Sequence, residues 1–108
     1  MTKEQIRDYI YNGTGNKEEV FQVVLEAARK MAKRYKDSIK NEILNNECDL
    51  HTSWYVIFMD SLDKVGGICE QEHDELYFES GDGTPEQKQR LKELGDFLSP
   101  ENIGLVFP

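Results

Sequence analysis

From about Lys17 to Asn45 the apolar positions keep a helical rhythm. Phe21, Leu25, Ala28, Ala32, Tyr35, Ile39 and Ile43 recur at spacings of three and four, which draws one stripe along a helix. Val20, Val24 and Met31 widen the stripe, so this helix is expected to lie on a substantial core. A shorter helix precedes it. Thr2 with Gln5 forms a capping box, Ile6, Tyr9 and Ile10 give one apolar face, and Gly13 and Gly15 end it. Asn16 with Glu19 reads as a second capping box that opens the long helix.

Beyond Asn45-Asn46 the rhythm changes. Trp54-Tyr55-Val56-Ile57-Phe58-Met59 is aromatic, β-branched and continuously apolar, which predicts a central strand buried on both faces. Gly66-Gly67 is expected to introduce a second strand near Ile68–Gln71, and Glu75–Glu79 a third, joined as an antiparallel meander. Ser80-Gly81-Asp82-Gly83 is a loop. Thr84, Pro85 and Gln87 then start a helix whose buried edge is Leu91, Leu94 and Leu98. Ser99-Pro100 begins a brief turn, and Leu105-Val106-Phe107 suggests a closing edge strand. The expected order is α-α-β-β-β-α. This is an α+β domain spanning residues 1–108, with the long amphipathic helix packed on a small antiparallel three-stranded sheet.

Charge changes this picture, because it is split between the halves. Residues 1–46 carry nine Lys/Arg against seven Asp/Glu, whereas residues 47–108 carry four against fourteen. The formal net charge of −8 therefore belongs to the second half. It is densest from Asp60 to Asp82, where eight acids accompany the single Lys64. Such a field repels nucleic acid and anionic membrane and favours a basic partner. The six Lys/Arg from Arg29 to Lys40 are interrupted by Asp37, and aromatics do not interleave on that face, so they read as a solvated helix face.

The expected function is accordingly a non-enzymatic, acidic protein-binding module. The acids Asp60, Asp63, Glu70, Glu72, Asp74, Glu75, Glu79 and Asp82 would steer a basic protein, with Tyr77 as the aromatic anchor. By analogy of composition, inhibitors or immunity proteins of nucleases and other nucleic-acid-handling enzymes have this character. Reversing Glu72, Asp74, Glu75 and Glu79 to Lys is expected to leave folding intact. No direct nucleic-acid partner, membrane partner or cofactor is expected, and a homodimer is a further possibility, the basic helix of one copy meeting the acidic sheet of another. No apolar run reaches membrane-spanning length and no secretory signal opens the chain, which points to the cytoplasm.

The competing chemistry is metal binding. Cys48 and His51 form a C-x2-H pair, and Cys69 and His73 a C-x3-H pair, together a possible Cys2His2 zinc set. If residues 69–73 are extended, however, Cys69 and His73 lie about 13 Å apart at ~3.3 Å per residue, too far to share an ion. The alternative to a metal site is two small buried thiols and two surface imidazoles. Glu70, Glu72 and Asp74 would share one face of a strand, as a hard-metal site requires. No lysine follows at a useful spacing, so no catalytic residue is assigned.

Overall fold

A computed structural model describes residues 1–107, and among these there is no strand. The chain forms six helices: α1 (Lys3–Asn12), α2 (Lys17–Leu44), α3 (Leu50–Gly66), α4 (Glu70–Tyr77), α5 (Pro85–Phe97) and α6 (Pro100–Ile103). The α+β expectation is overturned, and with it every predicted strand.

The helix starts are set by local chemistry. The Thr2 hydroxyl accepts from Gln5 N–H and the Gln5 side chain returns a bond to Thr2, and Thr84 and Gln87 repeat this reciprocal box at α5. Asn16 accepts from Glu19 N–H at the start of α2, but the reciprocal Glu19 bond is not made. Ser99 caps α6 through Asn102 N–H.

Residues 54–59, the expected central strand, lie inside α3. Trp54, Ile57, Phe58, Ser61 and Leu62 are its buried positions, spaced as a helix requires. The run looked strand-like because α3 has neighbours on most sides, so Tyr55 and Met59 are half-buried as well. A helix enclosed this way shows little polar face. Two of its buried positions also carry hydroxyls. Ser61 is fully buried and satisfies its Oγ on the Phe58 carbonyl at 2.9 Å, so a position that reads as polar belongs to the core. Asp49 starts the helix by accepting from Thr52 N–H at 2.7 Å.

The remaining strands fail for related reasons. Gly67 adopts φ +64 and donates its N–H to Asp63 O, which makes it the left-handed C-cap of α3 and not the entry to a strand. Ile68 is fully buried in the turn that follows, and Gln71 already belongs to α4. Residues 75–79 are the end of α4 and the turn after it. Leu105 is buried in a non-helical C-terminal segment that pairs with no strand.

Helix α3 is the hub. It packs along α2 on one side and against α1 and α4 on others. Near its start it is tied to the end of α5 by Trp54 Nε1–H, which donates to Leu98 O at 2.6 Å in the interior. The Phe58 ring lies against Gly95 of α5, where a Cβ would sit 3.0 Å from the ring edge. Arg90 secures α5 to the end of α1, donating from Nε to Ile10 O and from an Nη to Tyr11 O. Leu91, Leu94 and Leu98 are fully buried, as the periodicity of α5 indicates. Along α2 the apolar stripe is buried at Val20, Phe21, Val24, Leu25, Ala28, Ala32 and Ile39 and half-buried at Met31 and Ile43, but Tyr35, expected in the stripe, is 47% exposed.

The buried stripe should carry the stability. Leu25→Ala is expected to cost roughly 2–5 kcal/mol, and Lys33→Ala on the exposed face well under about 1 kcal/mol. Denaturant unfolding of the two variants measures the contrast, and equal losses would contradict it.

Candidate functional site

The expected acidic site residues are distributed over α3, α4 and the turn after α4, and Glu70, Asp74 and Glu75 line one shallow depression on α4. Asp60 and Asp63 are exposed on α3, Glu70 is exposed at the start of α4, and Glu79 and Asp82 lie in the turn after it. Three others are bound within the chain. Glu72 faces α1, where Arg7 donates both Nη groups to its carboxylate at 2.9 and 3.3 Å and Tyr11 O–H donates at 2.7 Å. The Asp74 carboxylate accepts Tyr55 O–H at 2.6 Å. Glu75 closes the loop by accepting Asp82 N–H. Tyr77 is half-buried in an aromatic cluster with Tyr55, Phe58, His73 and Phe78.

No sheet exists to present these groups, so the acidic-sheet binding module is overturned. Reversing Glu72, Asp74 and Glu75 would break three internal attachments, so the four-residue reversal is now expected to cost stability. On a helix, Glu70 and Asp74 share a face, but Glu72 points about 200° around at ~100° per residue. The carboxylate stripe of a strand is therefore dispersed.

The Cys/His set is dispersed too. Cys69 and His73 are one helical turn apart, not four strand positions, so the distance argument does not apply. What separates them is orientation. Cys69 is exposed at the N-cap of α4, and His73 is completely buried. Cys48 is half-buried, and the exposed His51 lies beside the Trp54 ring, centroids 5.4 Å apart. Both thiols are free. Among the described residues no three His, Cys, Asp or Glu side chains converge as metal ligands would. The metalloprotein reading is overturned; of the alternative, His51 is at the surface as expected, but His73 is buried and neither thiol is fully buried.

Two features were not visible in the sequence. The first is a groove of about 290 Å³ between the C-terminal half of α2 and α3. Met31, Tyr35 and Ile39 line its α2 wall, and Ser53, Val56 and Ile57 its α3 wall. Glu42 and Asp60 supply its charge, and Cys48 lies at its lining with Sγ 3.5 Å from Ser53 Oγ. Tyr35 and Val56 stand 47% and 43% exposed on opposite walls. The Asp60 carboxyl is shifted upward by partial burial and by the nearby Asp63 charge. Neither Glu42 nor Asp60 has a cation in salt-bridge contact among the described residues.

The second feature is a buried polar relay. His73 Nδ1 lies 3.2 Å from the Tyr55 oxygen, whose proton is given to Asp74. With that proton committed, Nδ1 must carry the hydrogen and Nε2 the lone pair. Burial holds His73 down at about 4 and pushes the Tyr55 phenol up. No protein-family model matches this chain, and neither a curated protein nor a solved structure is similar to it. Among the described residues no helix is long and apolar enough to cross a membrane.

The Arg7–Glu72 pair predicts a pH dependence of its own. Arg7, followed by the Tyr11 hydroxyl, holds the Glu72 carboxyl down at about 2. A folded-state value below the unfolded one gives stability that is complete above the usual glutamate range and lost as pH falls towards 2. Glu72→Gln should cost about 1 kcal/mol at neutral pH, the scale of a partly exposed pair, and should flatten the acid limb of the stability curve. Denaturant midpoints between pH 7 and 2.5 measure both; an unchanged acid limb would contradict the assignment.

Proposed function

We propose that this chain is a helical binding module whose α2–α3 groove receives a basic, amphipathic helix from a partner protein. The observation that carries the reading is the pair Tyr35 and Val56. These two large apolar side chains stand on facing walls of one groove and remain in water. Isolated exposed apolar residues are ordinary, but here the two flank a depression floored by Ile39 and Ile57, which are themselves buried. An apolar groove between two helices suits the stripe of a third helix, with anchors at i, i+3/i+4 and i+7.

Charge selects the partner's flanks. Asp60 and Glu42 are carboxylates in the groove without a cation, and Asp60 is already partly desolvated with Asp63 close by. A Lys or Arg beside the apolar stripe of the incoming helix would relieve this, whereas an acid there would aggravate it. The basic protein partner expected from charge thus keeps its place as a proposal, on a surface other than the one expected.

The test places a photocrosslinking residue at Tyr35 or Val56 of the full chain in its native cell, with Gln22, exposed elsewhere on α2, as the control position. The reading expects one partner protein joined at both groove positions and not at the control. The joined peptide should have helical apolar spacing and flanking Lys/Arg. Asp60→Lys should weaken that complex about tenfold or more, the scale of a lost charge pair. Crosslinks only to a second copy of the chain, or the same products at Gln22, would contradict it.

A further inference from the structure

His73 holds the one buried side-chain nitrogen or oxygen among the described residues that has no hydrogen-bond partner, its Nε2. The ring is completely buried. Phe58 meets it edge-on at 4.7 Å between centroids, Tyr55 likewise at 5.4 Å, and Tyr77 lies nearly parallel at 5.9 Å. Its other nitrogen is 3.2 Å from the Tyr55 oxygen. Tyr55 and Phe58 belong to α3, so the imidazole is a joint between α4 and the hub helix.

This joint accepts only one protonation state. Neutral, the ring donates from Nδ1 to Tyr55 and leaves a single lone pair unused, a modest cost inside an aromatic pocket. Protonated, it would place a charge among three aromatic rings and aim an N–H at no acceptor. The titratable groups touching it are Tyr55 from α3 and Tyr77 from its own helix, and Asp74 is the one charge acting on it. Asp74 favours the cation, but burial outweighs it. Among the described residues no charge from α1, α2 or α5 acts on the ring.

Helix α4 is also held by the Glu72 bonds to Arg7 and Tyr11 of α1 and by packing on α5, so release from α3 loosens one of its three attachments. It has eight residues, its N-cap Cys69 makes no side-chain capping bond, and its buried side chains are His73 and Leu76. A helix this short has little stability away from its docking surface. Its entry follows Gly67, at φ +64, and its exit runs into the loop of Gly81 and Gly83.

We propose that His73 is a proton-operated latch, which fastens α4 to α3 while neutral and frees α4 from that surface when protonated. The latch is independent of what the α2–α3 groove binds. The undocked ring takes a proton near the ordinary histidine value of about 6.5 and the docked ring does so only near 4, so acid draws the equilibrium toward release. Between pH 7 and 5 the open fraction of α4 should rise about 20-fold by this linkage.

The test is amide hydrogen exchange of residues 70–77 at pH 7 and 5, corrected for the intrinsic chemical rate, in the full chain and in His73→Phe. The wild type should show the rise in opening while Val20–Ala32 stays protected, and His73→Phe, which fills the pocket without titrating, should change less than about twofold. Should that variant not fold, His73→Gln is used, whose amide can donate to Tyr55 without titrating. An equal rise in a variant lacking the imidazole would overturn the proposal. Imidazole ¹⁵N shifts give the second readout, with His51→Gln removing the other histidine. A neutral ring down to about pH 5 in the docked state is expected, whereas protonation near 6.5 with α4 still protected would overturn the latch.

Discussion

Enclosure of α3 is the constraint on which the rest of the molecule depends. A helix carrying Trp54, Ile57, Phe58 and Leu62 on one arc, with Tyr55 and Met59 beside it, has more apolar surface than one neighbour can cover. Burial of each large side chain is worth roughly 1.5–3 kcal/mol, so the chain is driven to surround it. Helix α2 takes one side, α1 and α4 take others, and α5 meets the Phe58 ring at Gly95. Trp54 marks the limit of this enclosure, since its indole N–H must find Leu98 O to be buried at all. Where the covering elements end, the groove beside Val56 begins.

The acidity of the second half has a partly local explanation. First turns hold Glu4 in α1, Glu18 and Glu19 in α2, Glu70 and Glu72 in α4, Glu86 in α5 and Glu101 in α6. Carboxylates there meet the positive ends of the helix dipoles. After Asn46 these positions hold four of the fourteen acids, since α3 carries none in its first turn. Glu72 does a second job by pinning α4 to α1, while Arg7 also donates to Gly67 O at the end of α3. Much of the charge that suggested a docking surface thus supports helix ends and internal ties, and the carboxylates left without such a task, Asp60 above all, carry the argument about partners.

Helices with an exposed polar face could be read from the sequence, and those without one could not. The box of Thr2 and Gln5, the Thr84-Pro85-Gln87 start and the stripe of α2 each carry a signal within a few residues, and the structure contains all three. In α3 that signal is erased by burial on most sides, and the hydroxyls of Ser53 and Ser61 disguise two core positions. A local cue was present all the same, since Asp49 three residues before Thr52 is an N-cap pattern and Gly67 a C-cap. Helix α4 is short and acidic, and Glu70 to Glu75 are all polar, so its buried positions His73 and Leu76 give no apolar rhythm of helical period. The groove and the His73 relay were illegible for another reason: each is made by side chains from two helices, and their meeting is set by tertiary packing.

The measurement closest to the central claim is the backbone ¹³C chemical shifts of residues 50–77. Enclosure of α3 as a helix predicts an unbroken run of helical Cα shifts from Leu50 to Gly66, a break at Gly67–Cys69, and a second helical run from Glu70 to Tyr77. Extended shifts across Trp54–Met59, with cross-strand contacts to the segment after Gly67, would contradict it. The hub, the groove and the latch would then fall together.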